Sequence, residues 1–238
     1  MNRGFLYGDG FFETIRVIDG KAPLLQFHLE RIYDAIFIYK FTPQFDISEE
    51  FIQKIIRENT ANNGLIRINF FRDGGGKYQP ETDHVAFNHS YEDYSETFYL
   101  PTALDLKSEL LKAPKEIGSI GTYPEYKPNV NWMKVKSLSS IYYVLAAKYK
   151  DKMNLNHLLI RDRNNVVCEE LISNIIVLQN EELYFLSREN GGVNGATQRY
   201  LIDNYAFQLT EKQFTTEELL TSDAIFTCKG STGIIRIQ

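Results

Sequence analysis

A lysine acts as a nucleophile only when its amine is deprotonated, and one stretch of this chain favours that state. Asn131-Trp132-Met133-Lys134-Val135-Lys136-Ser137-Leu138-Ser139-Ser140 reads as a short strand, a hydroxyl-rich corner and the start of a helix. The serines offer N-cap oxygens, and Ile141, Val144, Leu145 and Lys148 follow at helical spacing. Lys136 then stands at a strand end beside a helix N-terminus. The positive partial charge there, with any burial, disfavours the ammonium form. A lysine of that kind can condense with a carbonyl group, which is what Schiff-base chemistry requires. The opposing reading is a solvated turn lysine, because most lysines are exposed.

Other residues extend the same chemistry. Glu169 is an acid within the apolar strand pattern 166–178, and two glycine-containing loops, Glu189–Gly195 and Lys229–Gly233, offer backbone N–H groups to an anion. An anion cradle, an activated lysine and a fixed carboxylate are what pyridoxal phosphate needs. They supply a phosphate site, an aldehyde partner and a counter-charge for the ring nitrogen. Arg31 falls off the apolar stripe of its helix and faces either solvent or a ligand. Arg67, in mid-strand, is either an edge-strand cation or a ligand-facing one. Arg72-Asp73-Gly74-Gly75-Gly76-Lys77 lacks the hydroxyl residue and glycine spacing of a Walker loop and reads as a hairpin loop. His84 and His89 are five apart in a strand, so they point to opposite faces and make a poor metal pair.

The elements that would carry these residues follow from periodicity. Gly4–Ile18 opens as a glycine turn and a strand with Phe12, Thr14 and Arg16 on one face and Phe11, Glu13, Ile15 and Val17 on the other. A helix from Pro23 to Tyr39 carries the stripe Leu25, Leu29, Ile32 and Ile36. A second helix runs from the cap Ser48 to a stop at Asn62-Asn63-Gly64. Strands are expected at Leu65–Phe71, Val85–Tyr91, Leu158–Arg161, Val166–Leu178, Leu183–Leu186, Asp223–Thr227 and Ile234–Ile237. Helices are expected at Ala196–Asn204 and after the capping box Thr215-Thr216-Glu217-Glu218. The pattern weakens between Glu96 and Lys115, which places a small N-terminal α/β domain at 1–106, a linker at 107–115 and a larger domain at 116–238.

The chain has 238 residues, 43% of them hydrophobic, which suffices for one large or two small cores. A net charge of -5 with no basic stripe argues against nucleic acid and anionic membrane as obligatory partners. No apolar run is long enough to span a bilayer and no charged-then-apolar leader is visible. Two cysteines, Cys168 and Cys228, outside any CxxC pair fit a reducing cytoplasm.

The motifs resemble one family across nearly the whole chain. They are Arg3-Gly-Phe-Leu-Tyr-Gly-Asp-Gly-Phe-Phe-Glu-Thr14, His28-Leu-Glu-Arg-Ile32, Arg67 in its strand, Lys136-Ser-Leu, Glu169 five residues before Asn174, Gly195-Ala-Thr197 and the loop before Gly233-Ile234. In this order they are similar to the class IV pyridoxal-phosphate aminotransferases, a family that includes branched-chain aminotransferase, D-amino acid aminotransferase and aminodeoxychorismate lyase. The resemblance implies a fold-type IV enzyme of mixed α/β class, two α/β domains with the cofactor pyridoxal 5'-phosphate between them, and a homodimer. It implies that Lys136 is the catalytic lysine and that Glu169 pairs with the ring nitrogen. Arg31, Ala196, Thr197 and Gly230 would contact the phosphate, and Val193 would pack on the ring face. Tyr7, Phe12, Arg67 and Ser231 would line the substrate side, with Arg67 a partner for a carboxylate.

Some positions depart from the family pattern. Ser139 and Ser140 stand where a tyrosine or asparagine usually meets the cofactor's phenolic oxygen. Gly-Ala-Thr-Gln replaces Gly-Ile-Thr-Arg, with Arg199 one place later. The family's first strand before Arg3 and its last strand and helix after Ile237 have no counterpart, so either the chain is part of a longer product or its ends are reduced. Three activities remain open. The first is amino transfer between a small amino acid and a 2-oxo acid, toward which the Glu13-Thr14 pair leans. The second is lysis of 4-amino-4-deoxychorismate to pyruvate and 4-aminobenzoate. The third is a non-catalytic family member.

Overall fold

The computed structural model describes residues 2–59 and 62–238. The described chain forms two compact units, one built from residues up to Glu96 together with Val135–Ser140, the other from Thr97–Lys134 and Ile141–Gln238.

The first unit begins with a short helix, α1 (Arg3–Tyr7), where the glycines had suggested only a turn. The Asn2 side chain accepts from the Phe5 N–H at one end, and Gly8 ends the helix in the left-handed conformation at φ +64°, where a glycine carries no steric penalty. Three antiparallel strands follow in the order β1 (Gly10–Val17), β2 (Gly64–Arg72) and β3 (Val85–Asp93). Their register pairs Phe12 with Asn69 and Thr14 with Arg67, and Arg67 in turn with Ser90. Because side chains alternate, one face carries Phe12, Arg67, Asn69 and Asn88. The other buries Phe11, Ile15, Ile66, Ile68 and Phe70 under the helices α2 (Leu25–Tyr39) and α3 (Glu49–Glu58). The second helix's stop lies earlier than Asn62, and Gly64 already belongs to β2; residues 60–61 of that stretch lie outside those described.

In the second unit a five-stranded sheet has the order β11-β10-β7-β8-β9, formed by β7 (Asn174–Gln179), β8 (Glu182–Leu186), β9 (Leu209–Lys212), β10 (Ala224–Lys229) and β11 (Gly233–Arg236). A three-stranded sheet joins β4 (Ile120–Thr122), β5 (His157–Arg161) and β6 (Val167–Glu170). Helices α4 (Leu106–Lys112), α5 (Ile141–Lys152), α6 (Ala196–Tyr205) and α7 (Thr216–Leu220) complete it. Leu106, Leu110, Ile176, Leu201 and Phe226 form one core, while Leu159, Val177, Phe214 and Ile225 form another.

Three expectations change here. The strand read over Val166–Leu178 is two strands, because Glu170 turns the chain: its carboxylate accepts from the Ile172 N–H and the Ser173 hydroxyl. The stretch 107–115, read as a linker, holds α4 inside the second unit, capped by Asp105 and packed through Leu106 and Leu110. The strand read before Lys136 is a 3-10 turn at Asn131–Met133, and Val135–Ser140 joins the first unit. Backbone pairing explains this last change: Phe12 N–H donates to Lys136 O at 2.8 Å and Leu138 N–H to Gly10 O at 2.9 Å.

Candidate active site

In the first unit, the backbone bonds to β1 place the half-buried Lys136 side chain beside Phe12, with Nζ 4.7 Å from the ring centroid. The Arg67 guanidinium carbon lies 3.7 Å from the same centroid, because Phe12 and Arg67 occupy diagonal positions on one face of β1 and β2. Two cations on one ring gain from its quadrupole. Arg67 is exposed, and its Nε donates to Asn69 Oδ1 at 3.0 Å, while Asn69 donates to Asn88 at 2.8 Å. That leaves the Nη groups of Arg67 as a planar fork suited to a carboxylate.

On the opposite face of β1, Arg31 is buried, which overturns the solvent-facing reading. Its Nε and Nη2 donate to the two oxygens of Glu13 at 2.7 and 2.5 Å, and His28 Nδ1 meets Glu13 at 2.9 Å. Burial alone would raise the Glu13 carboxyl, but the Arg31 charge and the His28 and Arg31 hydrogen bonds outweigh it and bring it down to about 2. His28 is lowered, chiefly by burial, so the neutral imidazole donates from Nδ1. Glu13 and His28 lie in motifs quoted above, but sequence reasoning assigns neither a role as a partner of Arg31. The signal was present: an acid on the inward face of an apolar strand demands a cation, and His28 and Arg31 share a helix face at i, i+3. Arg31 Nη1 takes no part in this pairing.

Tyr39, likewise without a role assigned from sequence, meets Ser137 Oγ at 2.7 Å, and Ser139 Oγ donates to Gly8 O. Tyr7 packs against Tyr78, 5.8 Å between centroids, and under Arg3.

In the second unit Glu169, on β6, is buried and ionically paired. Its Oε1 accepts from Lys127 Nζ and from the Tyr143 hydroxyl, both at 2.7 Å, and its Oε2 accepts from the Val193 N–H at 2.8 Å. Burial, then the Glu169 charge, pushes the Tyr143 hydroxyl well up, so it stays a donor. The Val193 carbonyl is held by Asn174 Nδ2 at 2.6 Å, so Val193 is gripped through both its N–H and its C=O. Gly195 is required by the same grip: a Cβ there would lie 1.9 Å from Asn174 Oδ1. Neither Lys127 nor Tyr143 carried a sequence signal, since a lysine before a proline in a loop reads as solvated.

Gly195 caps α6 without a side-chain hydrogen bond, so the first-turn N–H groups at Ala196 and Thr197 are available to an acceptor. Among the described residues, the hydroxyls of Thr197 and Thr232 are buried with no hydrogen-bond partner. Gly230 and Ser231 share the β10–β11 turn with Thr232. Orphaned buried hydroxyls are costly unless a ligand satisfies them. A phosphate group fits these donors. A protonated ring nitrogen fits Glu169, whose three hydrogen bonds leave one of four acceptor positions.

The sequence profile of the class IV amino-transferases matches residues 10–238. The chain is 26% identical over 243 residues to the D-alanine aminotransferase of Staphylococcus epidermidis, covering 99% of this chain and 81% of that protein. It is 25% identical over 229 residues to the aminodeoxychorismate lyase of Bacillus subtilis, covering 93% and 74%. Among solved structures, a hypothetical aminotransferase from Mycobacterium tuberculosis in its PLP-bound form superposes with a TM-score of 0.76 at 19% identity, covering 99% of this chain and 82% of that one.

Proposed function

The chain belongs to the class IV aminotransferases, enzymes of fold-type IV that depend on pyridoxal phosphate, and from that premise we propose that it transfers the amino group of a small amino acid to a 2-oxo acid. The observation that carries the proposal is the placement of Lys136 and Arg67 over the single ring of Phe12. It puts an amine and a carboxylate receptor within one amino acid's reach.

In this reading Lys136 holds the cofactor's aldehyde carbon, Glu169 its ring nitrogen, and Arg31, Ala196, Thr197 and Gly230 its phosphate, with Val193 on the ring face. When bound, the cofactor supplies an electron sink for the carbanion formed at the substrate's Cα. Lys136 Nζ takes the Cα proton and returns a proton to complete the exchange. The Phe12 ring packs against the Lys136 amine and the Arg67 guanidinium together and holds the two side by side. The Arg67 fork, held by Asn69, orients the substrate carboxylate so that the Cα–H bond meets Nζ. Tyr7 and Ser231 line the substrate side.

Similarity to the Bacillus subtilis lyase favours a second reading, in which the same proton abstraction precedes loss of pyruvate from 4-amino-4-deoxychorismate. The two share Lys136 and differ in the leaving group at Cβ. The reading extends to a cytoplasmic homodimer. Its support is the two buried free thiols and the exposed apolar side chains Phe5 and Tyr78.

Borohydride reduction of the holoenzyme followed by peptide mass spectrometry is expected to find a pyridoxyl group on Lys136. D- or L-alanine with 2-oxoglutarate is expected to yield pyruvate. Release of 4-aminobenzoate would transfer the assignment to the lyase. An adduct on another lysine would overturn the site, and neither product would overturn both activities.

A further inference from the structure

The carboxylate assigned to the cofactor's ring nitrogen already has a buried cation of its own. Lys127 has a fully buried side chain, and its Nζ lies 2.7 Å from Glu169 Oε1. The Tyr143 hydroxyl donates to that same oxygen, and its ring lies 5.4 Å from the ammonium. Lys127 is anchored through its backbone, whose N–H donates to Arg161 O on β5 at 2.9 Å. Neither ion would remain in such a place alone, because desolvation of an unpaired buried charge is costly. The pair is built from the chain's own residues and is part of its fold.

A carboxylate facing a pyridine nitrogen stabilises the protonated ring because it is an uncompensated negative charge. At Glu169 that charge is compensated at contact distance. A protonated ring nitrogen would meet a neutral ion pair, with the ammonium's charge opposing its own across one carboxylate. Resting on the cofactor assignment above, we infer that Lys127 is a positioning residue that weakens the grip of Glu169 on the ring-nitrogen proton. The protonation state of the ring is thereby set by Lys127 as well as by Glu169. The ring of this enzyme is a weaker, adjustable electron sink, and substitution at position 127 shifts it without touching any group that contacts substrate.

The test reads the ring nitrogen directly. The holoenzyme is loaded with pyridoxal phosphate carrying nitrogen-15 in the ring, and its chemical shift is followed from about pH 5 to 9, a window that spans the ordinary titration range of such groups. In the unaltered protein the signal is expected to pass from the protonated to the neutral value inside this window. Lys127→Met, which keeps length and removes charge, is expected to move the midpoint up by at least about one pH unit, a tenfold change in proton affinity. Lys127→Arg is expected to restore the original midpoint. A purely structural lysine would lower stability in Lys127→Met and leave the midpoint in place, which would refute the inference. So would a ring that stays protonated throughout in the unaltered protein, a measurement that stands even if Lys127→Met does not fold. Failure to form the Lys136 adduct would remove the cofactor assignment and this inference together; an adduct with a fully protonated ring would remove the inference alone.

Discussion

Replacing Glu13 by glutamine tests the buried centre of the first unit. The side chain keeps its shape, but Arg31 loses a carboxylate held at 2.5 and 2.7 Å and remains buried as an uncompensated cation. A carboxyl brought from 4.5 down to about 2 by its surroundings corresponds to about 3 kcal/mol of folding free energy. Breaking a buried pair by removing one partner costs on the order of 3–5 kcal/mol, so two routes give the same scale. The sign follows from the direction. Glu13 is lowered, so its contribution is fully present above pH 4.5 and is lost as pH falls toward about 2. His28 acts in the same sense: it is lowered from 6.5, and protonation below that pH penalises the fold. Urea unfolding of apoprotein, followed by circular dichroism at several pH values, measures this. Glu13→Gln is expected to lose about 3 kcal/mol at pH 7, with the difference from the parent protein shrinking as pH drops below about 4.5. A loss under about 1 kcal/mol at pH 7, or a difference that does not change with pH, would refute the assignment of Glu13 as the ionised partner of Arg31.

Thr197→Val removes a buried hydroxyl without a partner; apoprotein stability is expected to rise by about 1 kcal/mol, while pyridoxal phosphate affinity falls about 10- to 100-fold because a charge-assisted hydrogen bond is lost. Thermal melts and cofactor titration check both halves, and an unchanged affinity would remove Thr197 from the phosphate site. Arg67→Met is expected to raise KM for the acid substrates about 10- to 100-fold with a smaller effect on kcat. An equal fall in kcat with constant KM would show that Arg67 does not bind the ground-state carboxylate. Burial pushes the thiols of Cys168 and Cys228 up to about 12, so iodoacetamide at pH 8 is expected to label neither until the protein is unfolded. Stoichiometric labelling of the native protein would contradict that.

Where the elements and the family likeness rest on short motifs, they could be read without the structure. The alternation of Phe11 to Val17, the stripe from Leu25 to Ile36, the capping box at Thr215 and the alternation that sets Arg67 on the face opposite Ile66 and Ile68 are all short-range patterns, and each element exists as expected. Family likeness followed from the same motifs, because Lys136-Ser-Leu, Glu169 and Gly195-Ala-Thr197 keep their order along the chain. Boundaries were less legible where a side chain intervenes locally: Asn2 builds α1 out of glycine-rich sequence, and Glu170 splits an apolar run by bonding its own turn.

The amino-acid sequence alone determined which residue types line each strand and helix, because backbone sterics and side-chain period act over a few positions. Only the tertiary structure decided which charges are paired. Arg31 finds Glu13 eighteen residues away and Lys127 finds Glu169 forty-two away. Such partners are chosen when folding strips water from an ion and leaves one opposite charge within reach, a free-energy balance that no local pattern records.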